Sequence, residues 1–323
     1  MRTSVEHRPA PIPLYAALGR PSFWRGLLRI ADPKITLASV ASIVLGGALA
    51  GHDGPISWPW LAVTILAIFF IEFAKNASGE LFDFDSGTDC AVAEQDRSPF
   101  SGGKRVLVDA LLSRGETKII AMVFYALAIG AGLAICALRE PAVVGLGVAG
   151  IALAYFYHAP PLKLSYRGFG ELAVAITYGP LVSAGTYLVQ RHEVPAHVVI
   201  ASLPLALMIG AFLWINEFPD LRADQSAHKR TLVVRLGAAR ASLVFPVIIG
   251  AAFLFQAVLP LTGLPPGLLF GLVGLPHGIA AARRLIAAPE HTARIIPAQA
   301  WTLLSFLLLA LGSAAGLLLP GAS

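Results

Sequence analysis

The sequence predicts an all-α polytopic membrane protein, with about nine transmembrane helices in one bundle and a central cavity opening to the cytoplasmic side. Three observations lead there. Of the 323 residues, 56% are hydrophobic and 13% are charged, whereas soluble domains carry about 25% charged residues. The apolar residues gather into segments close to the roughly 20 residues that a helix needs to cross a bilayer. Lys and Arg fall almost wholly into alternate connections between those segments, as expected where basic loops stay on the cytoplasmic side.

The elements follow in chain order. Residues 1–34 carry no long apolar core and are interrupted by Pro9, Pro11 and Pro13, so a cleaved signal is not expected. From Leu14 to Ile30 the chain mixes Tyr15, Phe23, Trp24, Leu27 and Leu28 with Arg20, Arg25 and Arg29. That pattern predicts a basic amphipathic helix lying on the cytoplasmic membrane surface. Residues 35–323 are expected to form a single transmembrane domain, with spans near 35–51, 58–75, 117–137, 141–157, 171–190, 196–215, 239–260, 263–282 and 298–319. With the amino terminus inside and the carboxyl terminus outside, the 24 Lys and Arg residues divide 22 to 2 in favour of the cytoplasm. A missed or extra span would scramble that alternation.

Composition excludes several classes. Disordered chains are poor in apolar residues. Two cysteines, Cys90 and Cys136, cannot build a disulfide framework or a four-thiolate zinc site. The eight histidines show no helical ligand spacing, and His158 and His228 read as solvated loop residues. A net charge of +5 in so apolar a chain suits an anionic membrane surface better than nucleic acid.

The acids carry the chemistry. Nine of the 19 lie in two segments that begin where an apolar helix leaves the membrane, four spans apart, like an internal pseudo-repeat. In the first, Glu72, Asn76, Glu80 and Asp83 recur at helical spacing and Asp89 follows; in the second, Asn216, Asp220 and Asp224 recur every four residues. Like charges at that spacing destabilise a bare helix and call for a counter-ion, most naturally a hard divalent cation such as Mg2+ held by oxygens. Bases accompany the acids: Arg97, Lys104 and Arg105 after the first cluster, Lys163 and Arg167 between the two, Arg222, Lys229 and Arg230 with the second. Carboxylates able to hold magnesium, beside cations able to reach oxyanions, describe a pyrophosphate site. Ser101-Gly102-Gly103 offers backbone that phosphate can approach. Glu72 falls in or near the end of the second span, where a carboxylate usually faces a polar interior. Tyr155 and Tyr157 read as interfacial aromatics.

At these residues the sequence resembles a UbiA-type intramembrane prenyltransferase. The stretch from Asn216 through Asp224 and Lys229-Arg230-Thr231-Leu232 to Gly237 resembles that family's second aspartate motif. PPLKLSYRGFGE (160–171) and the spacing from Asp83 to Asp89 resemble the 1,4-dihydroxy-2-naphthoate (menaquinone-pathway) branch. One position departs: where the family usually has asparagine four residues before Asp83, this chain has Gly79. The resemblance implies Mg2+-dependent transfer of an isoprenyl group from an allylic diphosphate to an aromatic acceptor, in a bacterial inner membrane and without nucleic acid. It implies Asp83, Asp220 and Lys163 as catalytic. Metal ligands would be Asp83, Asp89, Asn216, Asp220 and Asp224, with Glu80 and Asn76 able to substitute at the departing position. Arg97, Lys104, Lys163, Arg167, Lys229 and Arg230 would grip the diphosphate, and Tyr166 would orient the acceptor. Two alternatives stay open: a terpene cyclase of the same family with no acceptor, and a secondary transporter. The transporter is disfavoured because its ionisable groups belong at the membrane midplane, whereas these cluster at one face.

Overall fold

The long apolar helices of this chain run past the membrane on one side. In the computed structural model, which describes residues 18–319, the helices are α1 (Pro21–Ala31), α2 (Pro33–Asp53), α3 (Trp58–Asp85), α4 (Thr88–Ala91), α5 (Arg114–Leu138), α6 (Val143–Phe156), α7 (Gly170–Ile176), α8 (Val182–Arg191), α9 (Ala196–Ser226), α10 (Leu232–Leu236), α11 (Ala238–Val258), α12 (Leu275–Ala287) and α13 (Thr292–Leu318). A π-helical turn, Thr177–Leu181, joins α7 to α8 around Pro180, which has no N–H to donate into a regular α-helical ladder. A 3-10 segment, Pro266–Gly274, leads into α12. No strand occurs among the described residues.

Among the described residues, eight helical segments are long and apolar enough to cross a membrane. The expected fourth span, 141–157, is the shorter α6 of 14 residues, about 21 Å at 1.5 Å per residue. Conversely α3 has 28 residues and α9 has 31, about 42 and 46 Å against a hydrocarbon core of about 30 Å. The second and sixth spans therefore do not stop where the sequence turns acidic. Each continues as one helix through its acidic ladder, so the ladders inherit the rigidity of membrane helices.

Tight helix contacts set the bundle. A core containing Leu45, Tyr187, Leu205, Met208, Ile209, Phe245 and Phe306 joins α2, α8, α9, α11 and α13, while Leu243, Val247 and Leu254 are exposed. Without a hydrophobic force between helices in lipid, small residues bring backbones together. Ser183 Oγ donates to Ser42 O at 3.2 Å, and Ser42 Oγ donates to Tyr178 O. A Cβ at Gly46 would strike the Ser183 backbone.

The basic amphipathic segment forms α1 over Pro21–Ala31, and the earlier part of the expected stretch, Leu14–Ala17, lies outside the described residues. Its apolar stripe rests on protein: Phe23 and Ile30 pack with Ala77, Leu112, Ile120 and Ala121. Arg29 Nη1 pairs with Asp109 at 2.6 Å and Arg20 pairs with Glu116. Glu116 also closes a capping box with Ser113 at the start of α5. Trp24 and Leu28 stay exposed on the outer side.

Gly46→Val is expected to overpack the α2–α8 contact and destabilise the protein by about 1–3 kcal/mol. Gly47→Val, at a position with open space around it, should stay within about 0.5 kcal/mol. Thermal unfolding of both purified variants in one detergent checks the difference.

Candidate active site

The overlong α3 and α9 carry the two ladders to one end of the bundle. Along α3 each polar side chain takes a different partner. Ser39 Oγ donates to Glu72 Oε1 at 2.6 Å, Asn76 Nδ2 donates to Ile30 O at 3.0 Å, and Leu107 N donates to Glu80 Oε1 at 2.8 Å. Asp83 accepts from the Tyr166 hydroxyl at 2.8 Å, and that oxygen lies 2.7 Å from Ser86 Oγ. Asn76 is thus turned to α1 rather than to the aspartates.

The segment after α3 brings Asp89 back under a glycine loop. Gly103 sits at φ 71°, and a Cβ there would run into the Asp89 carboxylate; a non-glycine residue would also be strained at that φ. Neighbouring Gly102 passes beside Asp220, whose Oδ1 would lie 3.9 Å from a Cβ. The close backbone approach expected of Ser101-Gly102-Gly103 is here made to two carboxylates. Ser98 and Ser101 of the same loop hydrogen-bond Gln299 of α13, and Gln299 Nε2 donates to Asn216 Oδ1 at 3.0 Å.

On α9, Asp220 and Asp224 follow Asn216 on one helix face. Asp224 is only 1% exposed. Lys229 N donates to Asp224 O at 2.8 Å, and Lys229 Nζ stands 3.5 Å from Asp224 Oδ1. Across the cleft Asp224 feels the charge of Asp83, and Asp220 feels that of Asp89. The loop whose Gly103 covers Asp89 also carries Gly102 past Asp220, so the two ladders come together at one end of the bundle. Burial, and next the charges of Asp83 and Glu80, push the Asp89 carboxyl up to about 7. Burial works against the Lys229 ammonium, yet Asp224 and Asp83 outweigh it and hold its pKa well above the ordinary lysine value.

The segment 157–169 closes the site from a third direction. Tyr157 O accepts from both Ser165 N and Ser165 Oγ, and Arg230 N donates to Tyr166 O at 3.0 Å, tying this segment to the one after α9. Lys163 and Lys229 lie 5.3 and 5.6 Å from the Tyr166 ring centroid. Burial, then Asp83, raises the Tyr166 phenol to about 12. Lys104 pairs with Asp32 at 3.5 Å and is near enough to Asp89 to ease its charge. Arg97, Arg167 and Arg230 are exposed, with side chains in no ion pair among the described residues. The Arg167 carbonyl accepts from Arg235 Nη2 at 2.6 Å.

His158, read from sequence as a solvated residue, is instead buried against the site. Its Nε2 lies 3.5 Å from Asp83 Oδ2, and its Nδ1 is buried without a partner. Burial holds the imidazole down to about 4, so it is neutral near pH 7. It occupies the room that Gly79 leaves: a Cβ there would sit 2.7 Å from His158 Cε1. The departure at Gly79 was the only trace of this in the sequence, because contact between α3 and residue 158 is tertiary. Gln299 was missed for the same reason.

Whether a divalent cation suits these residues can be judged from the carboxylates themselves. Asp220 Oδ1, Asp224 Oδ1 and Glu217 Oε2 are buried without hydrogen-bond partners, which is costly for groups of that kind. No three Asp, Glu, His or Cys side chains among the described residues form a ready cage for one ion. Magnesium usually keeps several waters and takes one or two carboxylates plus phosphate oxygens, so this looser set fits it. Beside the ladders, bordered by Asn216 and Lys75, lies a cavity of about 380 Å3 with mostly aliphatic walls that include Ile68, Leu133, Leu146 and Leu181.

Gly79→Ala is expected to displace the His158 ring at a cost of about 1–3 kcal/mol. In a His158→Ala background the same substitution should be nearly neutral, a non-additivity that thermal unfolding of the double-mutant cycle measures.

The chain is similar to known proteins over most of its length. A 1,4-dihydroxy-2-naphthoate octaprenyltransferase of Bacillus subtilis is 25% identical over 261 residues, 80% of this chain and 82% of the relative. A UbiA homolog from Aeropyrum pernix K1 shares the fold with a TM-score of 0.67 at 18% identity, covering 86% of this chain and 96% of that one. A UbiA homolog from Archaeoglobus fulgidus bound to GPP and Mg2+ superposes with a TM-score of 0.59 at 17% identity, covering 88% and 99%. Residues 40–303 match the model of the UbiA prenyltransferase family, and with most of its length matched the chain belongs to that family and is a prenyltransferase.

Proposed function

We propose that this protein transfers an isoprenyl group from an allylic diphosphate to an electron-rich aromatic quinone precursor of the dihydroxynaphthoate kind, with release of pyrophosphate. The observation that carries the reading is the meeting of Asp83 and Asp89 with Asp220 and Asp224 around Lys229, beside an aliphatic cavity. The naphthoate octaprenyltransferase relative and the GPP- and Mg2+-bound homolog of the same fold support it.

In this reading the four aspartates hold Mg2+, which when bound supplies positive charge against the departing diphosphate oxygens. Lys229, fixed as an ammonium between Asp224 and Asp83, binds the diphosphate from the protein side. Lys104, Lys163, Arg97, Arg167 and Arg230 surround the opening and add donors for its outer oxygens. Tyr166 hydrogen-bonds Asp83, and neutral His158, packed over Gly79, lies beside the same carboxylate. The aliphatic cavity takes the hydrocarbon tail and keeps water from the allylic cation. The 22-to-2 bias of basic residues supports an inner-membrane protein with this face toward the cytoplasm.

Mass spectrometry of products from purified protein, Mg2+, a panel of isoprenyl diphosphates and candidate aromatics tests the reading. A prenylated aromatic is expected; a hydrocarbon made from donor alone, with no need for an aromatic, would establish a cyclase instead. Asp83→Ala and Asp220→Ala should each lower kcat by about 100-fold or more while the protein still inserts and elutes like wild type. Full activity of either variant in magnesium would overturn the metal assignment. Lys229→Ala and Arg97→Ala should act chiefly by raising the KM for the diphosphate.

A further inference from the structure

The cavity wall is interrupted at one place by a polar patch lying apart from the aspartates. Glu72 and Lys75 come from α3, Ser39 from α2 and Tyr178 from the π-helical turn, and all four line the cavity. Lys75 is eight residues before Asp83, about 12 Å along the helix. Ser39 Oγ satisfies Glu72 Oε1 at 2.6 Å, but Glu72 Oε2 is buried with no partner. Lys75 Nζ donates to the Tyr178 hydroxyl at 3.3 Å and stands 5.7 Å from the centre of its ring.

A carboxylate and an ammonium held at membrane depth are costly and generally mark a site of function. Here the cost is compounded by an unsatisfied oxygen. A hydrocarbon tail lying against this patch would leave Glu72 Oε2 unsatisfied. A flat ring with polar substituents on one edge would satisfy both ions and leave its other edge toward Asn216 and the aspartates.

We propose that Glu72, Lys75 and Tyr178 form the recognition site for the acceptor, and that the acceptor is an aromatic bearing a hydroxyl and an acidic substituent. Lys75 Nζ, steadied by Tyr178, binds the anionic oxygen. Glu72 Oε2 accepts a hydrogen bond from the hydroxyl, which enriches the ring in electrons and fixes which carbon faces the donor. This assignment rests on the prenyl-transfer reading and goes beyond it by naming the residues that select the acceptor.

The test pairs a change in the protein with a change in the acceptor. Full-length protein with Mg2+ and geranylgeranyl diphosphate is given 1,4-dihydroxy-2-naphthoate or 1,4-naphthalenediol, the same ring without the carboxylate. Wild type should favour the carboxylate-bearing ring. Lys75→Met should raise the KM for that ring about tenfold or more, the worth of a charged hydrogen bond, with the KM for the diol and for the diphosphate within about twofold of wild type. Glu72→Gln should raise the KM for both rings and leave the diphosphate KM unchanged. If Lys75→Met does not fold, Tyr178→Phe serves in its place and should shift selectivity the same way. Equal losses on both rings, no wild-type preference, or a shift in the diphosphate KM would overturn the acceptor site while wild-type transfer left the prenyl-transfer reading standing. A wild type that alkylates neither ring would overturn both.

Discussion

Repulsion among carboxylates gathered at the end of an apolar bundle is the constraint around which the structure is arranged. Asp83, Asp89, Asp220 and Asp224 come from α3, the short α4 and α9, and Asp220 Oδ1 and Asp224 Oδ1 are buried without a hydrogen bond. Lys229 relieves part of the strain between Asp224 and Asp83. Such a set is unfavourable by itself and becomes favourable when further positive charge enters.

Holding that arrangement against its own repulsion requires rigid supports. The two ladders sit on single helices of 28 and 31 residues whose apolar parts are anchored in the bundle. Close contacts such as Gly179 on Ala206 of α9, and Gly46 of α2 on Ser183 of α8, bring the backbones of the bundle together. Hydrogen bonds of Tyr166 to Asp83, Gln299 to Asn216 and Leu107 to Glu80 bring two connecting segments and α13 onto the ladders.

The cavity adds a second division of labour. Its aliphatic walls suit a hydrocarbon, and its one polar patch does not. The π-helical turn around Pro180 is what swings Tyr178 toward Lys75, an irregularity tolerated because nearby serines satisfy the disturbed backbone, as Ser42 does for the Tyr178 carbonyl. In the proposed reaction, ionisation at the aspartates and acceptor recognition in the cavity would be separated along α3 while sharing one rigid element.

Sequence alone determined the class of fold, the positions of most spans and the two acidic ladders, because hydrophobic length and helical spacing are local properties. It also marked Gly79 as a position out of pattern. Only the tertiary structure decided that α6 is short, that Asn76 turns to α1, that His158 fills the room above Gly79, and that Gln299 joins the site. Those outcomes depend on which surfaces touch after the helices pack, and residues 79 and 158, or 216 and 299, have no local signal linking them. The pairing of the ladders stands between the two cases: spacing along each helix displays the charges, but their meeting at one cleft is a consequence of the bundle.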